Sequence, residues 1–300
     1  MTKNKAFFLT TVPVVIFLIH AVPSFAQDTL LAGFTRYAKG ISGHVGVCVQ
    51  MVETGEAVDY QGDKRFPMQS VYKFPIAMAV LSRVDKGEFA IDQKIKVDTS
   101  DYIPRIGHSP LRDQFPHGGY FTINSLLRYD IIESDGAACD VLLRILGGTK
   151  VADRYVHDLG VQDIAISTTE KIQVAQDTIQ YQNWATPKGM VKLLHIFYDG
   201  QVLSEKSRAL LLKLMIDSRP GAKRLKGRLP KGTIVAHKTG TSGTFGGLTR
   251  STNDVGIITL PSGKHLAIAV FVSDSRASEK ARELIIANIS SAAFDWARVK

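Results

Sequence analysis

Ser70 and Lys73 form the first pair whose types and spacing could carry out a reaction, because they stand three positions apart in Ser70-Val71-Tyr72-Lys73. At the start of a helix this spacing places both side chains on one face. A partly desolvated lysine can accept the proton of a serine hydroxyl, which turns the serine into a nucleophile. Free N–H groups at a helix start can stabilise an oxyanion. Alone, the pattern fits equally well a helix cap followed by a surface lysine.

Two further segments combine hydroxyl groups with a charged residue. Ser134-Asp135-Gly136 lies between two predicted helices, where Ser134 could pass a proton to a leaving nitrogen, although these residue types are common in turns. Lys238-Thr239-Gly240-Thr241-Ser242-Gly243 follows a predicted strand. A lysine and hydroxyls there can hold a carboxylate, and a glycine lets a ligand lie against the backbone. A polar strand end is the alternative interpretation of this segment.

In this order, the three segments are the signature of penicillin-recognising serine enzymes, and the chain resembles a class A β-lactamase over essentially all of its length after residue 26. That class carries a glutamate on a long loop between the second and third segments, and Glu170 is the matching residue. The loop ends in Tyr181-Gln182-Asn183-Trp184, which is similar to the extended-spectrum subgroup that includes the PER and VEB types. The resemblance implies hydrolysis of penicillins and cephalosporins, including oxyimino-cephalosporins.

The resemblance implies a two-step acyl transfer. Ser70 attacks the lactam carbonyl, and its proton goes either to Lys73 or through water to Glu170. Ser134 then protonates the departing ring nitrogen. Glu170 finally activates the water that hydrolyses the acyl-enzyme. The backbone N–H groups of Ser70 and Thr241 would stabilise the oxyanion.

A set of substrate-binding residues is also implied by the resemblance. They are Lys238, Thr239, Gly240, Thr241, Ser242, Arg224, His108 and Asp140. Arg224 corresponds to the subgroup's substitute for a carboxylate-binding arginine elsewhere in the family. It also belongs to a basic stretch that would form a solvated loop face.

Four positions depart from the usual class A pattern. Gly136 stands where the class has an asparagine that contacts the substrate side chain, so we expect an altered substrate preference and weaker binding of some inhibitors. Val174 replaces an asparagine that helps to hold the hydrolytic water. Asp140 replaces an asparagine near the loop glutamate, and His108 occupies an aromatic position over the cleft.

Hydrophobic periodicity predicts the elements that must position these groups. Helices are predicted at 28–39, 71–84, 123–132, 138–146, 151–159, 188–198, 205–215 and 278–298. Strands are predicted at 46–52, 57–60, 233–237, 255–260 and 266–272, with the turn Pro261-Ser262-Gly263-Lys264 joining the last two.

Strands at both ends with helices between them indicate an α+β fold, in which an antiparallel sheet built from both chain ends is flanked by helices and accompanied by a helical subdomain. We expect one domain over residues 27–300, with a sheet subdomain (27–66 and 218–300) and a helical subdomain (67–217). The site should lie in the cleft between the two subdomains.

Residues 1–26 have the features of a signal peptide. Lys3 and Lys5 precede an apolar run that ends at Ile19, and Ser24-Phe25-Ala26 offers small residues for cleavage near Ala26 and Gln27. The run falls short of the roughly 20 apolar residues that a membrane span needs. We therefore expect a periplasmic or secreted monomer without stable membrane association.

The 300 residues are 45% hydrophobic and carry a net charge of +9, which is typical of a globular chain. The densest basic cluster (223–228) has no nucleic-acid recognition motif, so a small anionic substrate explains the charge better than a nucleic acid. The scattered histidines lack metal-ligand spacing, so we expect neither metal nor cofactor. Cys48 and Cys139 could form a disulfide in an exported protein, but each lies in an apolar stretch typical of a buried thiol.

Two other functions share the three segments. A low-molecular-weight penicillin-binding protein, which acts as a DD-peptidase, lacks the loop glutamate and keeps its acyl-enzyme. A β-lactam sensor domain also keeps its adduct, and it would be expected to carry membrane spans. A hydrolase with a Ser-His-Asp triad is disfavoured because no serine lies in a G-x-S-x-G segment.

Overall fold

The computed structural model describes residues 25–200 and 202–300. The predicted signal peptide therefore lies outside the described residues, except for its last two residues, which begin the first helix. Among the described residues no helix is both long and apolar enough to cross a membrane.

The described residues form ten α-helices, which are α1 (Phe25–Lys39), α2 (Lys73–Asp85), α3 (Pro110–Gln114), α4 (Ile123–Ile132), α5 (Gly136–Leu146), α6 (Thr149–Asp158), α7 (Glu170–Ala175), α8 (Pro187–Tyr198), α9 (Glu205–Ile216) and α10 (Glu279–Ala297). They also form eleven strands, which are β1 (His44–Met51), β2 (Ala57–Tyr60), β3 (Phe66–Pro67), β4 (Lys94–Val97), β5 (Gly119–Thr122), β6 (Ile164–Ala165), β7 (Trp184–Ala185), β8 (Val235–Thr241), β9 (Thr244–Phe245), β10 (Leu248–Thr259) and β11 (His265–Ser275).

The main sheet has the strand order β2-β1-β11-β10-β8, with β9 paired to β10. All of these pairs are antiparallel. Strands β1 and β2 come from the start of the chain and the others from its end, so residues distant in sequence become neighbours, as in the pair Val47 and Val270. The predicted α+β class and the building of the sheet from both chain ends are confirmed.

The alternation of side chains along β11 separates two hydrophobic cores. Leu266, Ile268, Val270 and Val272 belong to the core beneath α1 and α10. Ala267, Ala269 and Phe271 belong to the core shared with the helices that lie between β3 and β8 in sequence. The small alanines let α8 lie close to this face of the sheet.

Helix α2 is the central helix of the second core. All residues from Lys73 to Ser82 are buried, and a helix that is apolar around its whole circumference is typically surrounded by other elements. Each fully buried large apolar side chain contributes about 1.5–3 kcal/mol to folding. This burial fixes the position of Lys73 at the start of α2.

Two predicted boundaries near the site are wrong. Residues 69–72 form a turn of 3-10 helix, and α2 begins only at Lys73, so Ser70 does not cap the helix. Strand β8 runs to Thr241 instead of ending at residue 237, so the Lys-Thr-Gly segment lies within the strand. Its polar side chains suggested a loop, but the backbone pairs with β10 as far as Thr241 and Thr252.

Most other predictions are confirmed. The helix at 123–132 has the predicted bounds, and Ser278 caps α10 by accepting a hydrogen bond from the N–H of Ala281. Short elements in polar segments, such as β4 paired with β5, were not predicted. Cys48 and Cys139 are both buried and free, so the alternative of a disulfide is wrong.

Candidate active site

The turn at 69–72 brings the predicted nucleophile into contact with two ionisable groups. Lys73 Nζ lies 2.9 Å from Ser70 Oγ. Lys73 also forms an ion pair with Glu170, and Ser70 Oγ lies 3.5 Å from Glu170 Oε1. The serine hydroxyl therefore faces both a cation and a carboxylate that could receive its proton.

Lys73 is fully buried, and its charge depends on Glu170. Burial alone lowers the pKa of this ammonium, but the nearby Glu170 carboxylate reverses the effect, and the pKa lies above its usual range. Lys73 is therefore a cation in the resting site. A lysine held in this way favours Glu170 as the group that ultimately accepts the serine proton.

The second segment faces the third across the cleft. Lys238 Nζ donates to Ser134 Oγ at 2.8 Å and to the backbone oxygen of Thr239 at 3.1 Å. Burial, followed by the charge of Lys73, lowers the pKa of Lys238. Ser134 has a φ of 60°, a left-handed conformation rarely adopted by residues other than glycine. Its hydroxyl is thus held next to an ammonium that readily gives up a proton.

Asp135 explains how Ser134 is held in that strained conformation. Its carboxylate caps α5 through the N–H of Ala138 at 2.8 Å. It also accepts hydrogen bonds from the N–H of Leu111 at 2.6 Å and the hydroxyl of Ser109 at 3.0 Å. The middle residue of the Ser-Asp-Gly segment therefore joins α3 to the start of α5.

Gly240 allows β8 to lie directly against the turn that carries Ser70. A Cβ atom at this position would come within 2.2 Å of the backbone oxygen of Met68. The backbone of Met68 cannot move away as a flexible side chain could, so only glycine fits at position 240. Lys238 and Gly240 share one face of β8, as the period-two alternation of a strand requires.

Arg224 lies directly behind the third segment and is buried. Its guanidinium donates to the backbone oxygens of Gly240 at 3.2 Å and Asn253 at 3.0 Å, and to Thr241 Oγ1 at 2.8 Å. It is therefore not part of a solvated loop face. Arg224 Nε also forms an ion pair with Glu283 Oε1 at 3.4 Å, so the guanidinium next to the hydroxyl of Thr241 has a nearby counter-ion.

The loop at 166–183 (the glutamate loop) is held by two polar side chains. Asp140 accepts hydrogen bonds from the N–H groups of Glu170 at 2.8 Å and Lys171 at 2.9 Å. Asn183 accepts from the N–H groups of Ser167 at 2.7 Å and Thr168 at 2.9 Å. These bonds replace the ladder that regular secondary structure would provide, and they direct Glu170 towards Ser70.

Two residues predicted to bind substrate have other contacts. Both carboxylate oxygens of Asp140 are engaged by the glutamate loop, so this residue positions Glu170 instead of facing the cleft. Burial, followed by the charge of Glu170, raises the pKa of Asp140 to about 7. The methyl group of Thr239 lies against Gly221, on the opposite face of β8 from Lys238.

A cavity lies between the glutamate loop and the end of β8. Its volume of about 580 Å³ is within the range of small-molecule sites. Six of the residues predicted from the sequence line it, namely Ser70, His108, Ser134, Glu170, Thr241 and Ser242. Lys73 and Lys238 lie beneath it and are fully buried. His108 Nε2 is 2.9 Å from the backbone oxygen of Glu133, which fixes the ring beside the opening.

Gly136 is closely surrounded at the start of α5. A Cβ atom there would lie 2.5 Å from Ile103 Cδ1, 3.3 Å from the backbone oxygen of His108 and 3.4 Å from Glu170 Cβ. Ile103 thus occupies the space that a larger side chain at this position would need. A side chain at position 136 would therefore require Ile103 to move.

Two buried residues of the site were not predicted. Asp130 is fully buried in α4, and neither of its carboxylate oxygens has a hydrogen-bond partner among the described residues. Gln173 is buried in α7 with an amide that is likewise unpartnered in the described part of the chain. The sequence offered one signal for Asp130, since a charged residue interrupts the apolar face of a predicted helix. It offered none for Gln173.

Among the described residues, no group of three or more His, Cys, Asp or Glu side chains is placed to hold a metal ion. The reactive groups around this cavity are two serines, two lysines and a carboxylate. Such a set defines a serine acyl-transfer enzyme whose nucleophile is paired with lysine and glutamate.

Comparisons with known proteins identify the family. A sequence model described as the β-lactamase enzyme family matches residues 30–297. β-Lactamase VEB-1 of Pseudomonas aeruginosa is 41% identical over 271 residues, which cover 90% of each chain. Extended-spectrum β-lactamase PER-1 of Pseudomonas aeruginosa is 39% identical over 259 residues, covering 86% of this chain and 83% of that protein.

A solved structure of the TLA-1 extended-spectrum β-lactamase superposes with a TM-score of 0.89 at 42% identity, covering 91% of this chain and 99% of that one. The chain therefore belongs to the β-lactamase enzyme family, and within it to class A. The alternative of a DD-peptidase is not favoured by these relatives.

Proposed function

We propose that the protein hydrolyses penicillins and cephalosporins through an acyl-enzyme on Ser70, and thereby gives resistance to these antibiotics. The observation that carries the proposal is the contact of Glu170 with both Lys73 and Ser70. A carboxylate at this position can serve the second step, in which water must be activated to release the acyl group. A penicillin-binding protein has no equivalent group.

In the first step, Ser70 Oγ attacks the lactam carbonyl, and a C–O bond forms while the C–N bond of the ring breaks. The Ser70 proton passes through water to Glu170, because Lys73 already carries a full complement of protons. Ser134 protonates the departing nitrogen and is reprotonated from Lys238, which lies 2.8 Å away. The lowered pKa of Lys238 suits this role.

The substrate is held along β8. The backbone N–H groups of Ser70 and Thr241 stabilise the oxyanion, and each such donor contributes roughly 3–4 kcal/mol to catalysis. Lys238 and the hydroxyls of Thr241 and Ser242 bind the substrate carboxylate. Arg224 adds positive charge from behind Thr241 at 2.8 Å.

Before the second step, the proton that Glu170 accepted from Ser70 passes through water to Lys238, which restores the Glu170 carboxylate and the Lys238 ammonium. Glu170 then takes a proton from a second water molecule, whose oxygen attacks the acyl carbon, and later returns that proton to Ser70 Oγ. The bond between this carbon and Ser70 Oγ breaks, and Ser70 regains its proton. Asp140 supports this step indirectly, since its bonds to the N–H groups of Glu170 and Lys171 fix the glutamate loop.

The relatives named extended-spectrum β-lactamases support a preference that includes oxyimino-cephalosporins. The mature protein acts as a monomer in the periplasm, after cleavage near Ala26 and Gln27. The single domain over 27–300 divides into the sheet and helical subdomains expected from the sequence. The basic character of the chain matches the anionic substrates.

The test follows the intact mass of the mature protein during incubation with a cephalosporin. The wild type should consume the substrate and show at most a transient adduct, and Ser70→Ala should form none. Glu170→Gln removes the carboxylate that raises the pKa of Lys73, so Lys73 can accept the Ser70 proton in its place. This variant should form the adduct more slowly than the wild type and release it at least about 1,000-fold more slowly, within the range for loss of a general base. A persistent adduct on the wild type would identify a penicillin-binding protein or a sensor.

A further inference from the structure

Gln173 has the only side-chain amide lining the cavity that lacks protein partners among the described residues. The residue is 7% exposed, and neither Nε2 nor Oε1 has a hydrogen-bond partner in the described part of the chain. Burying an amide in this way is unfavourable unless water or a ligand satisfies it. The amide therefore still needs a hydrogen-bond partner, and the residue that carries it lines the cavity.

Its position on α7 relates it to Glu170. The two residues are three positions apart at the start of this short helix, so their side chains project from the same side. Both line the cavity that contains Ser70. The N–H of Gln173 donates to the backbone oxygen of Thr169 at 3.0 Å, which fixes the backbone from which the amide projects.

Other side chains of the glutamate loop cannot take the same role. Val174 has no polar side-chain atom, and its Cγ2 is packed close to Gly107, where a Cβ atom would lie 2.8 Å away. The amide of Gln180 is engaged by Gln69 at 2.7 Å and by Asp177 at 3.0 Å. Of these residues, only Gln173 offers the cavity a side-chain amide without a partner among the described residues.

We propose that the Gln173 amide orients the water that hydrolyses the acyl-enzyme, a role that rests on the proposed function. The water donates one hydrogen to Glu170 and the other to Gln173 Oε1, which leaves an oxygen lone pair directed at the acyl carbon of Ser70. When the water attacks, its first proton moves to Glu170 and the new C–O bond forms. The ester bond to Ser70 then breaks as Glu170 returns this proton to Ser70 Oγ. Gln173 itself gains and loses no proton.

The test is Gln173→Met, which keeps the length of the side chain and removes both polar atoms. With a chromogenic cephalosporin, kcat and KM should fall together by about 10- to 100-fold, the cost of a misplaced reactant. The ratio kcat/KM, which reports acylation, should stay within about twofold. Intact mass should show a larger steady-state fraction of acyl-enzyme than in the wild type.

Gln176→Met is the matched control, because Gln176 is exposed on the same loop and does not line the cavity. It should leave kcat and KM unchanged. If Gln173→Met fails to fold, Gln173→Ala carries the same expectations with a smaller side chain.

Two results would overturn the proposal while leaving the hydrolytic function intact. One is wild-type deacylation in a folded Gln173 variant. The other is an equal loss of kcat and kcat/KM, which would place the amide on the substrate or in the support of the loop. A wild-type protein that neither forms an adduct nor consumes the cephalosporin would overturn the proposed function as well.

Discussion

The two walls of the cleft are built in different ways. The strand wall (238–242) consists of the end of β8 and the residue that follows it. Pairing with β10 holds its backbone, and buried side chains such as Arg224 support it from behind. The glutamate loop forms the opposite wall and depends on hydrogen bonds from Asp140 and Asn183. Substrate binding therefore depends on regular secondary structure, whereas release of the product depends on a few side chains that support an irregular segment.

The two walls also differ in how they depart from the class pattern. The Lys-Thr-Gly-Thr segment of the strand wall is complete, and the polar groups of Lys238 and Thr241 have protein partners. Across the cleft, Gly136, Val174 and Asp140 depart from the class pattern around Glu170. We therefore expect damage to the strand wall to weaken binding and stability, and damage to the loop wall to slow deacylation.

The strongest expected effect comes from removing the support of the strand wall. Arg224→Met removes the guanidinium donor to the backbone oxygens of Gly240 and Asn253 in a buried region, and it leaves the Glu283 carboxylate without this ion-pair partner. We expect the free energy of unfolding to fall by about 2–4 kcal/mol, since each lost partner of a buried polar group costs ~1–3 kcal/mol. KM should rise about tenfold because the charge behind Thr241 is lost.

Urea unfolding and steady-state kinetics measure both effects. Lys223→Met, which changes an exposed residue of the same basic stretch, should alter stability by less than ~0.5 kcal/mol. A stable Arg224→Met enzyme with unchanged KM would return Arg224 to the interpretation of a solvated loop residue.

The strand wall was largely predictable from the sequence because its motifs are contiguous. Lys238, Thr241 and Ser242 lie where the spacing predicts, and the error at the end of β8 arose from polar residues that the backbone pairing tolerates. The α+β class was predictable for the same reason, since periodicity reports which strands and helices are buried.

The loop wall was less predictable, because its contacts join residues that are distant in sequence. The bonds from Asp140 reach 30 and 31 positions along the chain, and no local pattern indicates them. Asp130 and Gln173 could be identified only when three-dimensional packing left their polar atoms buried without partners. The close packing of Ile103 against Gly136 is likewise a tertiary contact that no local pattern indicates.

The next effect tests the support of the loop wall. Asp140→Asn keeps one oxygen acceptor but turns an NH₂ group towards a backbone N–H, so either Glu170 or Lys171 loses its partner. We expect kcat to fall about tenfold through slower deacylation, in the range of a small misplacement of a catalytic group. KM should fall with it, in contrast to Arg224→Met.

Pre-steady-state kinetics separate acylation from deacylation in this variant. Asp199→Asn, which changes an exposed aspartate at the end of α8, is the control and should behave as the wild type. An increase in KM without a change in deacylation would instead restore Asp140 to a substrate-binding role.

A smaller effect concerns Asp130, which lies behind both walls. Burial raises the pKa of this carboxyl from 3.8 to about 8, although the Lys73 and Lys238 ammonium groups act in the opposite direction and Glu170 and Asp135 add to the rise. An acid whose pKa is raised in the folded state binds its proton more tightly there than in the unfolded chain. Its contribution to stability is therefore complete below pH 4 and is lost progressively as the pH rises towards 8.

Asp130→Asn removes this dependence, so its Tm should exceed that of the wild type increasingly between pH 5 and 8, by about 2–6 °C at the upper end. Thermal unfolding across this range provides the measurement, and Asp92→Asn at an exposed turn should show no such trend. A lower Tm for Asp130→Asn at neutral pH would mean that Asp130 is ionised as the counter-ion of the two lysines.

The smallest expected change in kinetics, and the most direct comparison of the walls, comes from Gly136. In Gly136→Asn alone, the new Cβ would meet Ile103 Cδ1 at 2.5 Å, so the variant should lose about 1–3 kcal/mol of stability through overpacking. Ile103→Val removes that methyl group, and Gly136→Asn with Ile103→Val should recover most of the loss. The single Ile103→Val variant, which should cost about 0.5–1.5 kcal/mol, completes the double-mutant cycle.

The double variant separates crowding from chemistry. An amide at position 136 stands beside Glu170 and not on the strand wall. It should therefore change the ratio of kcat/KM between cephalosporins with small and large side chains by about threefold or more. The increase in KM caused by Arg224→Met should be the same in this background. Equal ratios in the wild type and the stable double variant would show that Gly136 serves packing alone. In that case the substrate preference would have to be set by the strand wall, and the division of roles between the walls would be lost.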